Sequence, residues 1–281
     1  GDVYKRQAYV LFRFYEIPQR DRADSISINT NTQSAVKARD LRSNSKQILK
    51  LKKAYEAKYS NGFFATKRGE IIPADKDKQY CIELSYLGKN LTAWYMQRPN
   101  LSYGETKIFD KYFNTLFKND YLPEDAYALS FWMRKIMDAW TQENPLGLEE
   151  ELLTMKAYAP YHLLFAISMV FAKCNNQTNV PSPSECLKVA SENNLVDSII
   201  NIAANCLNSA ISAEKNNCEQ NNRSFIPQNW VKNKSCNAGI MSAIQNYFSF
   251  LPTMNKEMDS KLKNGVKIDS KYFSYRVQAE D

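Results

Sequence analysis

From about residue 75 onward, apolar side chains recur at three- and four-residue spacing, and this periodicity constrains the fold more than any other feature of the chain. Residues 106–118 carry Ile108, Phe109, Tyr112, Phe113, Leu116 and Phe117 in this pattern. Leu129, Trp132, Met133, Ile136, Met137 and Trp140 repeat it, as do residues 196–211 and 240–251, with Pro252 closing the last. A period near 3.6 gathers such residues on one helix face. Each apolar face must be covered by another, so the pattern predicts a helical bundle whose stripes are core. Residues 80–96 read as a further helix ending before Pro99. Residues 180–184 and 216–224 read as loops, the second a flexible insertion. No internal repeat is visible.

The upstream part differs. Val10, Phe12 and Phe14 alternate with Leu11, Arg13 and Tyr15, which suits a buried strand over residues 8–17, ended by Pro18. Residues 25–29 alternate too, as a second strand or the end of a short helix. Ser43, Asn44 and Ser45 form a cluster of N-cap residue types, and Asn44 with Gln47 has capping-box spacing. A helix is therefore predicted over residues 46–59, with Ile48, Leu51, Tyr55 and Tyr59 on one face and lysines on the rest. Asn61 and Gly62 stop it. Residues 63–69 read as a short strand and turn. The expected fold class is mainly α, with a small α/β N-terminal edge (residues 8–74) and a C-terminal helical bundle (residues 75–281). Residues 1–7 read as a non-native leader, and the chain as the C-terminal part of a longer protein.

With 281 residues, 44% hydrophobic and 24% charged, the composition is that of a folded domain with a sizeable core. The longest apolar run, residues 163–172, is interrupted by Ser168 and is too short to span a membrane. No membrane partner is expected. Six cysteines lack any close pairing, and His162 is the single histidine, so a Cys/His metal site is not expected. Free buried thiols in a reducing cytoplasm are the expected state of the cysteines.

The charge is unevenly placed. The net charge is +7, yet residues 37–68 hold ten basic residues against two acidic ones, so the rest of the chain is slightly negative. A local positive field of this kind suits a polyanion, through phosphate neutralisation and counterion release. The alternative is a solvated helix face beside an acidic surface of the same protein. Just upstream, Asn29, Asn31 and Gln33 place three amides at alternate positions. Each offers a donor and an acceptor, able to pair with a base edge, a peptide group or the local backbone. The candidate nucleic-acid-binding set is Asn29, Asn31, Gln33, Lys37, Arg39, Arg42, Lys46, Lys50 and Lys53.

Catalytic signatures are weak. His162 opens an apolar helix after Pro160, a place for a structural histidine, and no triad is supported. With eight glycines and no Gly-rich phosphate loop, nucleotide binding by such a loop is not expected, nor is any cofactor. Asp40, Glu56 and Lys58 match in letters a metal-nuclease pattern, but Glu56 falls inside the predicted lysine-rich helix. No catalytic or metal-binding residue is assigned.

Residues 28–44, then Gln47, and later residues 63–70 together resemble the bacterial abortive-infection phage-resistance family known as AIPR. In that family an Asn-x-Gln element precedes a turn, a helix and an aromatic–Lys–Arg–Gly element, here Phe64, Lys67, Arg68 and Gly69. Residues 107–117 look like its next helix. The resemblance covers residues 8–117 and continues weakly beyond. It implies a cytoplasmic protein of anti-phage defence, with a restriction-type nuclease domain upstream of the region present here. The expected function is a module that contacts nucleic acid through the basic patch. The alternative is an interaction or self-association scaffold whose basic segment docks on that upstream domain.

Overall fold

A computed structural model describes residues 37–118, 121–141 and 143–278. The strand expected over residues 8–17, the alternating residues 25–29, and the amides Asn29, Asn31 and Gln33 lie outside the described residues. From Lys37 onward the chain forms one compact unit. It is mainly α: thirteen helices and two two-stranded sheets lie among the described residues.

The elements, in chain order, begin with α1 (Ala38–Arg42), α2 (Lys46–Lys58), β1 (Phe63–Ala65) and β2 (Cys81–Glu83). They continue with α3 (Leu84–Trp94), α4 (Glu105–Phe109), α5 (Phe113–Leu116), α6 (Pro123–Met137) and α7 (Glu150–Leu153). Then come α8 (Ala159–Cys174), β3 (Val180–Pro181), α9 (Pro183–Glu192) and α10 (Val196–Gln220). The last are α11 (Pro227–Lys232), α12 (Lys234–Met254), α13 (Lys256–Gly265) and β4 (Phe273–Ser274).

The core is organised around α8. Every residue from Ala159 to Ser168 is buried, as are Val170, Phe171 and Ala172. A helix apolar all round must be enclosed, and α3, α6, α10 and α12 pack against it. Each fully buried Leu, Ile or Phe contributes about 1.5–3 kcal/mol relative to exposure. Two polar side chains on α8 meet backbone carbonyls of the preceding turn. Ser168 Oγ donates to Phe165 O at 2.7 Å, and His162 Nδ1 lies 3.1 Å from Tyr158 O. Burial pushes the His162 pKa down to about 4.

Polar ties fix the helices against one another. Asp125, 5% exposed, accepts hydrogen bonds from Tyr95 Oη (3.1 Å), Ser182 Oγ (2.9 Å), Ser184 N (3.2 Å) and Ser184 Oγ (2.6 Å). The buried carboxylate is thus held by donors rather than by a cation, and it joins the ends of α3, α6 and α9. Trp94 Nε1 donates to Pro181 O at 2.7 Å. Asn175 Nδ2 donates to Val266 O while its Oδ1 accepts from Ile268 N, both at 2.9 Å, which secures the chain after α13. Beyond it, β4 pairs antiparallel with β3, and Val277 N donates to Tyr95 O at 2.9 Å.

Five local expectations are corrected. Residues 81–83 form β2, not helix, because they pair in parallel with β1 in the register Phe64↔Ile82; the helix starts at Leu84. This pairing spans residue 75, where the sequence suggested a boundary. It is possible because Gly62 lets the backbone pass close: a Cβ there would sit 2.6 Å from Tyr80 O. Residues 106–118 are not one helix but α4 and α5, stepped at residues 110–112, so that Ile108, Phe109, Phe113 and Leu116 all reach the core. Residues 216–220 continue α10 rather than looping, because Cys218 is buried seven residues after Ile211 on the same face. Pro252 lies inside α12, which runs on to Met254, since proline removes only one hydrogen bond near a helix end. The capping box also fails: Ser45 is the N-cap of α2 and its side chain makes no capping bond. All six cysteines are free.

Two tests follow from this packing. A Cβ at Gly88, in the middle of α3, would lie 2.8 Å from Phe109 Cζ. Gly88→Ala is expected to destabilise by about 1–3 kcal/mol through overpacking, against the gain in helix propensity; denaturant unfolding measures the sign. His162 is neutral in the fold down to about pH 4, but charges near pH 6.5 when unfolded. The unfolded chain therefore binds the extra proton between those values. Stability should fall as pH drops through that window, by on the order of 3 kcal/mol. His162→Met should flatten that part of the profile; an unchanged slope would count against the assignment.

Candidate nucleic-acid interface

The basic segment folds as α1, a tight turn, α2, β1 and the turn that follows β1. At 100° per residue, Ile48, Leu51 and Tyr55 share one side of α2, and all three are buried. Lys46, Lys50 and Lys53, at i, i+4 and i+7, lie on the opposite side and are exposed. Over seven residues this stripe extends about 10 Å, comparable to three phosphate steps of one strand at about 3.4 Å each. Lys37 is exposed as well.

The two arginines of the predicted set are turned inward. Arg39 is 9% exposed, with Nη2 3.1 Å from Asp40 Oδ1 and Nη1 3.5 Å from Glu105 Oε1. Arg42 Nε donates to Phe109 O at 3.2 Å, and its guanidinium lies 4.7 Å from the centre of the Phe113 ring. Phe109 ends α4, where a carbonyl has no intrahelical partner, so Arg42 acts as a cap supplied by another element. Ser43 Oγ closes the turn on Asp40 O at 2.7 Å. The arginines therefore bind α1 to α4 and α5. In this placement they are engaged within the protein rather than presented to a phosphate.

The remaining charges sort by helix face. Lys52 Nζ meets Glu70 Oε1 at 3.1 Å and Glu56 Oε1 at 3.7 Å, and Lys58 Nζ meets Glu124 Oε1 at 2.9 Å. Glu70 Oε2 accepts from Thr66 N (2.8 Å) and Lys67 N (3.0 Å). Partial desolvation opposes ionisation of Glu70, but the Lys67 amide, Lys52 and the Thr66 amide outweigh it and hold the carboxyl below its ordinary range. Glu70 thereby clamps the Lys67–Arg68–Gly69 turn against α2 and leaves Lys67 and Arg68 exposed beside it. These two cations were counted in the basic segment but not placed in the candidate set. The signal for them was the acid closing their turn, which sequence alone does not pair with Lys52.

The nuclease-like letters do not converge. Asp40 faces Arg39, Glu56 accepts Phe64 N at 3.2 Å, and Lys58 pairs with Glu124. Among the described residues no group of three His, Cys, Asp or Glu side chains is placed to hold a metal. No helix among them is long and apolar enough to cross a membrane.

No curated protein and no solved structure matches this chain. A family model described as AIPR protein matches residues 2–222. The match extends well past the residues 8–117 that carry the visible resemblance, through α8 and α9 to the end of α10, and takes in residues 2–7. Covering most of the chain, it shows that this protein belongs to the AIPR family, the abortive-infection proteins of phage defence.

Proposed function

We propose that this defence protein contacts nucleic acid along the outer side of α2. The observation that supports the reading is the division of that helix: an apolar side sunk in the core and, directly opposite, the exposed stripe of Lys46, Lys50 and Lys53. Lys37, Lys67 and Arg68 extend the cationic surface. Arg39 and Arg42 serve it indirectly, by anchoring α1 so that the stripe is presented on a fixed frame. Contacts of this type are to phosphates and carry no base readout, so sequence preference would have to come from elsewhere, for which Asn29, Asn31 and Gln33 have the right chemistry.

The test is fluorescence anisotropy with labelled DNA and RNA across a salt series. The triple variant Lys46→Gln, Lys50→Gln, Lys53→Gln should bind more weakly at low salt and reduce the salt slope by about two to three. Its unfolding midpoint should not move, since exposed substitutions change stability by at most about 0.5 kcal/mol. Arg42→Met should do the reverse, lowering stability while leaving the slope intact. Wild-type protein without affinity for either polymer at low salt would refute the reading.

A second reading is a self-association scaffold. It draws on Phe250 and Met254, one helical turn apart on α12 and 62% and 65% exposed. Sedimentation equilibrium should then show a dimer that Phe250→Ser disperses; a monomer at all concentrations disposes of it.

A further inference from the structure

A large cleft is distinct from the lysine stripe. It has a volume of about 880 Å³ and is bounded by β2, α3, α6 and the segment of residues 156–161 that leads into α8. That lies within the roughly 300–1,000 Å³ typical of small-molecule sites, and is far more than a bare inorganic ion fills.

Its walls combine two kinds of surface. Met133 and Met137 from α6, with Tyr86 from α3 and the buried Tyr161, give it apolar and aromatic sides. Three cations line it: Lys89, Arg134 and Lys156. The only carboxylates in the lining, Glu83 and Asp138, are exposed.

Arg134 is the informative group. It is half-buried, on a helix whose inner side is core. Its Nη1 is tied to Ser130 Oγ at 2.7 Å and its guanidinium lies 5.9 Å from the centre of the Tyr127 ring. Among the described residues Arg134 forms no ion pair with a carboxylate, in contrast to Arg39, and neither do Lys89 and Lys156. Arginines withdrawn from water are ordinarily paired, because a guanidinium keeps its charge at any accessible pH. Here the fork is oriented by a hydroxyl and an aromatic face and retains donors for an anion from outside the chain. At the mouth, Lys89 Nζ stands 5.6 Å from the centre of the Tyr86 ring, so a cation and an exposed aromatic face are offered together.

We propose that this cleft binds a small organic anion with a flat, largely apolar body: the anionic head on Arg134, assisted by Lys156 and Lys89, and the body against Met133, Met137 and the two tyrosines. A nucleoside monophosphate and an aromatic sulfonate or carboxylate share this chemistry.

The experiment uses the whole chain and two probes, the fluorescent aromatic sulfonate 8-anilinonaphthalene-1-sulfonate and adenosine monophosphate. The sulfonate should bind at one site, and the monophosphate should displace it. Inorganic phosphate, which lacks the body, and adenosine, which lacks the charge, should each displace it at least tenfold less well. Arg134→Met should weaken both probes at least tenfold. Because Arg134 also packs on Tyr127, the exposed Lys156→Glu is the second variant; it should weaken both severalfold with an unchanged unfolding midpoint. The triple lysine variant of α2 should bind both probes as wild type does, which separates this site from the polyanion surface. Absence of displacement, undiminished binding in Arg134→Met and Lys156→Glu, or a parallel loss in the α2 variant would overturn the proposal.

Discussion

The near-complete burial of α8 is the constraint on which the rest of the structure depends. A sixteen-residue helix without a solvated face has to be walled in on every side, and α3, α6, α10 and α12 form that wall. Once they are in place, their outward sides and the segments between them can carry charge. The short pieces α1, α2 and β1 are then laid against this frame through Ile48, Leu51, Tyr55 and Phe64. The interior holds a histidine and a carboxylate: His162 Nδ1 faces the Tyr158 carbonyl, and Asp125 is met by two serines, a tyrosine and a backbone amide brought from elsewhere in the chain.

The basic segment shows how one run of like charges can serve two purposes. Arg39 and Arg42 are consumed inside: planar, always charged and able to span two partners, they tie α1 to α4 and α5. Its lysines divide by angle around α2. Those near the buried face meet carboxylates from the β1 loop and from α6, and those opposite it are exposed. A net charge of +7 thus overstates the number of cations available to a partner, while the stripe that remains is better ordered than composition suggests. The cleft beside α3 and α6 inverts the arrangement, with apolar walls and cations that pair with no carboxylate among the described residues. The polymer contact and the small-anion site proposed above therefore fall on different elements, α2 for one and α6 for the other.

Much of this was legible along the chain. The helix over residues 46–58 was visible because lysine and apolar residues alternate with helical period and Asn61–Gly62 ends the pattern. The later amphipathic helices were visible for the same reason. What escaped were places where a distant partner overrides local preference. β2 exists because Phe63–Ala65 pairs with it; α4 and α5 separate where Arg42 captures the Phe109 carbonyl; α10 runs on through an Asn-rich stretch because Cys218 finds the core. For the candidate contact residues, residue type marked the segment correctly as basic but could not divide it, since Arg39 and Lys46 look alike until the neighbours of each are known.

What the sequence by itself determined is therefore the class and the family: helical periodicity demands a bundle, and the elements at residues 28–44 and 63–70 mark an AIPR protein. These are local properties, set by spacing and by residue identity. Tertiary structure alone decided which cations face outward, where Glu70 clamps its turn, and that Arg134 lines a cleft without an ion-pair partner among the described residues. Those outcomes depend on long-range proximity. Whether a charge is paired, buried or presented is a relation between residues far apart in the chain, and it acquires a value only when packing brings them together.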